Sequence, residues 1–227
     1  MATSQKRDEG AAQERELAHQ RALMVERHVA ARGIRDPRIL QAMREVPRHK
    51  FVPQVVVAKA YGPGALPIGS KQTISQPFIV ARMIELLELT GKEKVLEIGT
   101  GTGYQAVVLS KLCAKVFSIE RINELALRAA ELFRELKVYN ATVKVFDGTY
   151  GWSDQAPFDR IIVAAAAPAV PEPLVQQLTR TGKMIIPIGT GSSQKLARVT
   201  RVGTGIQIED CGSADFVPLV GRFGWKE

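Results

Sequence analysis

Between residues 94 and 188 the apolar positions alternate between two rhythms. Short apolar runs at 95–98, 116–119, 142–146, 160–164 and 184–187 predict strands. Between them, 104–111, 123–136 and 171–178 carry apolar residues at helical spacing, the last with Pro171 at its start. Strand and helix in alternation predict an α/β fold, a doubly wound, mainly parallel sheet of Rossmann-like type with helices on both faces. After Gly189 the runs are shorter, at 195–202, 206–209 and 215–220, with Gly203 and Gly205 dividing the first two, and they predict an antiparallel C-terminal edge.

The first third reads differently. Residues 14–32 predict a helix with Leu17, Leu23, Met24 and Val25 among charges, stopped by Gly33. Asp36-Pro37 is an N-cap followed by proline at the first helical position, and the helix it opens runs to about Glu45. Residues 47–76 are loop-rich; a loop of that length in a compact domain is functional or hides short elements. Ser75 is then expected to cap a third helix, with Pro77 just inside and Gly91 closing it. The resulting division is a disordered tail at 1–13, a helical and loop segment at 14–76 packed on the core, and a ligand-binding core with C-terminal strands at 77–227, all one domain.

Composition narrows the function. The net charge is +8, but no Lys/Arg run exceeds two residues, so a basic surface is expected rather than a nucleic-acid site. Cys113 and Cys211 stand far apart with no His or second Cys beside them, which is neither a zinc pattern nor a disulfide framework. The polar N-terminus lacks the apolar core of a signal peptide, and no uncharged apolar run approaches the ~18–20 residues of a membrane span. A cytoplasmic monomer without metal is expected.

The chemistry concentrates at EIGTGTGYQA, residues 97–106, which parses two ways. Gly101-x-Gly103-x-x-Ala106 matches a dinucleotide fingerprint, whereas Glu97-x-Gly99-x-Gly101-x-Gly103 suits S-adenosylmethionine. Both use a glycine turn that lets backbone approach a ligand. An acid at Glu97 helps a ligand bearing a sulfonium and an amino group, and hinders a pyrophosphate. Glu120 ends the second strand of the alternating region, where its carboxylate can accept from both ribose hydroxyls; NAD sites place an acid there too. Asp147 ends the third, where an acid reaches an adenine amino group or caps the loop.

These residues resemble the protein-L-isoaspartate O-methyltransferase family. The resemblance rests on EIGTGTGYQA, the SIE of the second strand, the DG after the third, APFDRIIVAAAAPAVPEPLVQQL, the upstream ALPIGSKQTISQPFIVARMIELLEL and the terminal FVPLV, and it covers about residues 17–222. It implies a methyltransferase that uses S-adenosyl-L-methionine, releases S-adenosyl-L-homocysteine, and methylates the carboxyl of L-isoaspartyl and, less well, D-aspartyl residues in damaged proteins and peptides. It assigns Glu97, Gly99, Thr100, Gly101, Gly103, Glu120, Arg121, Asp147 and Gly148 to the cofactor. Ser75 is its catalytic residue, and Thr73, Ile74, Gln76, Val217, Pro218 and Leu219 join Ser75 in binding substrate.

QTISQP, residues 72–77, contains no His, Cys, Asp or Glu, yet most enzymes need a general base. A carboxylate acceptor does not, because with a free pKa near ~4 it is already an anion at neutral pH. The chain departs from the family at Lys71, where Gly-x-Gly-Gln has become Gly-Ser-Lys-Gln. Either Lys71 lies at the mouth of the peptide groove or it points to water. Two other readings compete: an NAD(P)-dependent oxidoreductase, which lacks an evident Tyr–Lys pair, and an RNA-binding module suggested by the charge.

Overall fold

The computed structural model describes residues 2–203 and 205–226, with the backbone alone for 2–9 and 192. In chain order its elements are α1 (Ala2–His28), α2 (Pro37–Glu45), β1 (Leu66–Gly69), β2 (Gln72–Ile74), α3 (Pro77–Leu87), β3 (Lys94–Ile98), α4 (Tyr104–Ser110), β4 (Lys115–Glu120), α5 (Asn123–Glu135), β5 (Ala141–Val145), β6 (Phe158–Val163), α6 (Glu172–Gln176), β7 (Leu178–Ile188), β8 (Lys195–Val202) and β9 (Gly205–Ser213). The backbone is helical as far back as Ala2, where a disordered tail was expected. Extending a helix that is already nucleated adds one hydrogen bond for each residue fixed. No helix among the described residues is long and apolar enough to cross a membrane.

The main sheet has seven strands in the order β5-β4-β3-β6-β7-β8-β9. β3 pairs in parallel with both β4 and β6, so Val95 lies between Val116 and Arg160. The chain winds outward from β3 through β4 to β5, then returns to the other side of β3 with β6 and β7. That reversal leaves a crevice at the carboxyl ends of β3 and β6, where open α/β sheets bind ligands. β7, β8 and β9 pair antiparallel, which is the expected edge. The third C-terminal run, 215–220, is not a strand: it meets Ala166 through a single bridge at Pro218.

The sheet separates two cores. Leu96, Ile98, Phe117 and Ile119 point to one face with Phe158 and Leu174 of α6. Val95 and Val116 point to the other, under side chains from α1 through α5. Because side chains alternate along a strand, Glu97 shares the face of Val95, not that of Ile98.

Two sequence expectations about local structure change. The N-cap of α3 is Gln76, without a side-chain cap, and Ser75 lies one residue outside. Gln76 is extended, with ψ 141, as a residue preceding proline must be, and this displaces the cap from Ser75. α3 ends at Glu88 in the left-handed conformation, before Gly91. Meanwhile the long loop does hide structure: turns of 3-10 helix at Arg48–Phe51 and Gln54–Lys59, and the β1–β2 hairpin.

The hairpin turn is Ser70-Lys71, with φ of 49° and 57°. Positive φ at both central residues is the I′ geometry that matches strand twist and ordinarily recruits Asn-Gly. A left-handed residue other than glycine costs roughly 1–2 kcal/mol, and glycine returns about 0.5–1 kcal/mol of that in entropy. Lys71→Gly should therefore stabilise the fold by about 0.5–1 kcal/mol. A urea midpoint that stays put or falls in Lys71→Gly would contradict this geometry.

Candidate active site

A cavity of about 260 Å³ opens at the carboxyl ends of β3, β4 and β6. Of the residues predicted for the cofactor, Gly99, Thr100, Gly101, Glu120, Arg121 and Gly148 line it. Thr73, Ile74, Ser75, Val217, Pro218 and Leu219 line it too. Glu97, Gly103 and Asp147 do not, and Gln76 lines a second cavity of about 240 Å³. Thr73, Ser75, Ala164 and Val217 belong to both cavities and form the wall where they meet.

The glycine turn is fixed from two sides. The Gly99 N–H donates to the Ile119 carbonyl at 2.9 Å, and the Gly101 N–H to Glu120 Oε2 at 2.8 Å. Glu120 Oε1 accepts from the Ile122 N–H at 3.0 Å. The carboxylate is thus held by backbone donors on both of its oxygens. Burial holds the Glu120 carboxyl above the usual carboxylate range, opposed by those backbone hydrogen bonds. Gly103, at φ 93°, is required by packing: a Cβ there would stand 2.7 Å from the Phe133 ring on α5.

Glu97 lies beneath the turn and is fully buried. It accepts from Gln105 Nε2 at 3.1 Å and is hydrogen-bonded to the Ser118 hydroxyl, which in turn meets the Thr100 hydroxyl at 2.5 Å. Burial pushes its pKa up to about 8, against the lowering effect of Ser118 and Gln105. Burial thus favours the neutral acid, and the side chain is enclosed beneath the turn and does not line the first cavity. Its side chain points to the α4 face of the sheet, following the alternation along β3.

Asp147 caps the 3-10 turn Gly148–Tyr150. Its Oδ1 accepts from the Thr149 N–H at 2.9 Å and the Thr149 hydroxyl at 2.7 Å, while Oδ2 accepts from the Arg222 N–H at 2.8 Å. The carboxylate therefore ties the end of β5 to the C-terminal segment. That segment is also sewn to the loop after β6: the Ala166 N–H donates to the Val217 carbonyl and the Leu219 N–H to the Ala166 carbonyl, both at 2.8 Å. These backbone groups of Val217 and Leu219 are therefore engaged within the protein.

Arg48 was not anticipated. It is completely buried, donating through Nε to the Ala60 carbonyl at 2.9 Å and through Nη2 to the Ser75 carbonyl at 2.8 Å. Its guanidinium lies 4.9 Å from the Tyr104 ring centroid, and Tyr104 lines the first cavity. Burial lowers the Arg48 pKa from its ordinary value. In sequence it sits in Pro-Arg-His-Lys, which looks like a solvated basic turn. Tyr104 and Gln105 were also missed, although their place directly after the glycine turn was a usable signal. Lys71 lines the first cavity; the cation on the second is Arg32. Neither cavity is lined by His or Cys among the described residues.

Comparison with known proteins gives consistent results. The family model for protein-L-isoaspartate(D-aspartate) O-methyltransferase matches residues 19–224. A protein-L-isoaspartate O-methyltransferase of Desulfosudis oleivorans is 50% identical over 91% of this chain and 94% of its own length. One from Geotalea uraniireducens is 51% identical over 91% and 95%. Among solved structures, a protein-L-isoaspartate O-methyltransferase superposes with a TM-score of 0.80 at 25% identity, covering 91% of this chain and 67% of the other. A Plasmodium falciparum structure of that description, in complex with S-adenosyl-L-homocysteine, gives 0.75 at 25% identity, covering 87% and 96%.

The buried acid has a consequence for stability. The folded-state pKa of Glu97 is raised from 4.5 to about 8, so its contribution to stability is fully present below pH 4.5 and is lost as pH rises through about 8. Glu97→Gln keeps the shape and removes the titration. Its melting temperature should fall less than that of wild type between pH 5 and pH 8.5, roughly the window this linkage sets. Parallel curves for the two proteins would mean that Glu97 does not titrate in this window.

Proposed function

The chain belongs to the protein-L-isoaspartate(D-aspartate) O-methyltransferase family, and on that premise we propose how its two cavities divide the reaction. The protein methylates the free carboxyl of L-isoaspartyl residues in damaged proteins and peptides, using S-adenosyl-L-methionine. The ester then cyclises to a succinimide that partly reopens to normal aspartate. The first cavity holds the cofactor and the second the acceptor peptide. The observation that carries this division is their common wall, Thr73, Ser75, Ala164 and Val217.

The residues fit such a cofactor. Glu120 lines the first cavity at the end of β4, where its carboxylate suits ribose hydroxyls, and Gly99, Thr100 and Gly101 bring the backbone of the turn to the same wall. S-adenosyl-L-methionine supplies an electrophilic methyl group when bound. The rest falls to the protein. No proton has to be removed from an acceptor that is already ionised at neutral pH, which is why cavities without His or Cys suffice. The Ser75 and Thr73 hydroxyls orient the carboxylate by donating to it, and Ser75 is the residue we place at the reacting oxygen. Arg48 fixes the Ser75 carbonyl and with it the strap that carries the hydroxyl. Apolar side chains, Ile74, Ile98, Ile119 and Leu219, exclude water from the first cavity.

The same reading makes the protein a cytoplasmic monomer acting on proteins and not on nucleic acid. The dispersion of its +8 charge supports this, since no run of basic residues forms a phosphate-tracking stripe. Family membership leaves no place for the oxidoreductase reading.

Three measurements test the assignment. Methyl transfer should occur with an isoaspartyl peptide and not with the matched aspartyl peptide; equal transfer to both would overturn the substrate class. Ser75→Ala should lower turnover with adenosylhomocysteine affinity nearly unchanged. It should also leave the melting temperature near wild type, because Ser75 makes no side-chain cap. A loss of stability with normal turnover would assign Ser75 to structure alone. Glu120→Gln should weaken adenosylhomocysteine binding by about 1.5–3 kcal/mol, on the order of ten- to a hundredfold, because the charge on the ribose acceptor is gone. Unchanged affinity in a folded variant would put the ribose elsewhere.

A further inference from the structure

The acceptor cavity presents one cation, Arg32, and one anion, Asp215. Arg32 ends the 3-10 turn Ala30–Arg32, which Gly33 closes at φ 105° with its N–H on the Ala30 carbonyl. The guanidinium carbon lies 3.8 Å from the ring centroid of Phe78, in the first turn of α3. A cation–π contact holds the group over the ring without neutralising it. Among the described residues, no carboxylate lies within ion-pairing distance of Arg32. The protein therefore holds an oriented, unneutralised guanidinium on the wall of its peptide groove.

Under the division of cavities proposed above, on which this step rests, the damaged residue's own carboxyl is taken up at the shared wall of Thr73, Ser75, Ala164 and Val217. An extended chain advances only about 3.3–3.6 Å per residue. The remainder of a 240 Å³ groove thus meets side chains one or two residues from the damaged site. The peptide main chain is neutral, so what Arg32 can discriminate is the charge of those neighbours. We infer that Arg32 is a specificity-determining residue, favouring isoaspartyl substrates with an Asp or Glu side chain adjacent to the damaged residue. Asp215, facing the same groove from the segment after β9, opposes that preference and limits its size.

The test compares four isoaspartyl peptides of equal length: neutral neighbours, Glu before the damaged residue, Glu after it, and Lys in place of the favoured Glu. Wild type should methylate one of the two Glu peptides with a kcat/KM about two- to fivefold above the neutral one, the size of an exposed charge pair. The advantage should shrink when salt is raised to about 0.5 M, because the contact is open to solvent. Arg32→Glu should reverse the ranking in favour of the Lys peptide, and Arg32→Gln should abolish it. The readout is the ratio of kcat/KM for charged and neutral peptides within each variant, which a general loss of activity does not move. Asp215→Asn should widen the preference. An identical ranking of the four peptides by wild type and Arg32→Gln overturns the inference while leaving the repair activity standing. Failure of wild type to methylate even the neutral isoaspartyl peptide would overturn both.

Discussion

Both cavities depend on a hydrogen-bond network that lies under the glycine turn. Glu97 from β3, Ser118 from β4, Thr100 from the turn and Gln105 from α4 join four separate segments in one buried cluster. A buried polar network stabilises only when every member is satisfied, and here each of the four side chains has a partner. Burial favours the neutral form of its acid, which lessens the desolvation penalty that a buried charge would bring. Above it, the Gly101 N–H reaches Glu120 and the Gly99 N–H reaches Ile119. The turn is thus pinned from the strand below and the strand beside it, and its backbone faces the cavity in one conformation.

A second constraint joins the N-terminal segment to this frame. Arg48 lies inside the protein with no carboxylate partner among the described residues, and its strongest contacts are the carbonyls of Ala60 and Ser75. Burying an arginine is unfavourable unless its donors are used. Here Nη2 holds the entry to α3 at Ser75 and Nε holds the end of the preceding 3-10 turn at Ala60, while Nη1 is buried without a hydrogen-bond partner near the Tyr104 ring. The Thr102 hydroxyl adds a bond to the Phe51 carbonyl at 2.7 Å, from the glycine turn back to the same 3-10 turn. The segment before α3 is in this way built into the site on the cofactor side and on the acceptor side at once. That explains why the two cavities share residues from a part of the chain that looks like loop.

How much of this was legible depended on which periodicity carried it. β3, β4, β6 and β7 show as apolar runs because the inner strands of such a sheet are buried on both faces, whereas β5 is a half-exposed edge, and the sheet and its crevice follow. The β1–β2 hairpin did not show: it has four and three residues, contains Pro67, and turns on Ser70-Lys71 without the Asn-Gly signal. Glu97 and Asp147 were recognisable as acids near strand ends, but strand-end position does not give the face. Alternation from Val95 puts Glu97 away from Ile98, and the turn after β5 folds Asp147 onto its own backbone and Arg222. Arg48 and Arg32 had no signal in sequence, since a buried arginine and a stacked one look the same as a solvated one until the chain is folded.

The charge arrangement that results suits the chemistry better than a site full of ionised groups would. Transfer of a methyl group from a sulfonium to a carboxylate brings opposite charges together and removes both. The transition state is less charged than the separated reactants, so a polar solvent that stabilises those reactants slows the step, and an apolar enclosure does not. The first cavity is walled largely by aliphatic side chains. One of the two acids near it, Glu97, is buried away from the ligand, and the other, Glu120, is bound by backbone N–H groups at the far side of the turn from Ser75 in sequence. The fixed cation of the acceptor groove, Arg32, lies outside the shared wall and so acts on the neighbours of the reacting carboxylate. Positioning and recognition are thereby divided: Ser75 and the turn orient the reacting atoms, while Arg32 and Asp215 meet the neighbours of the damaged residue.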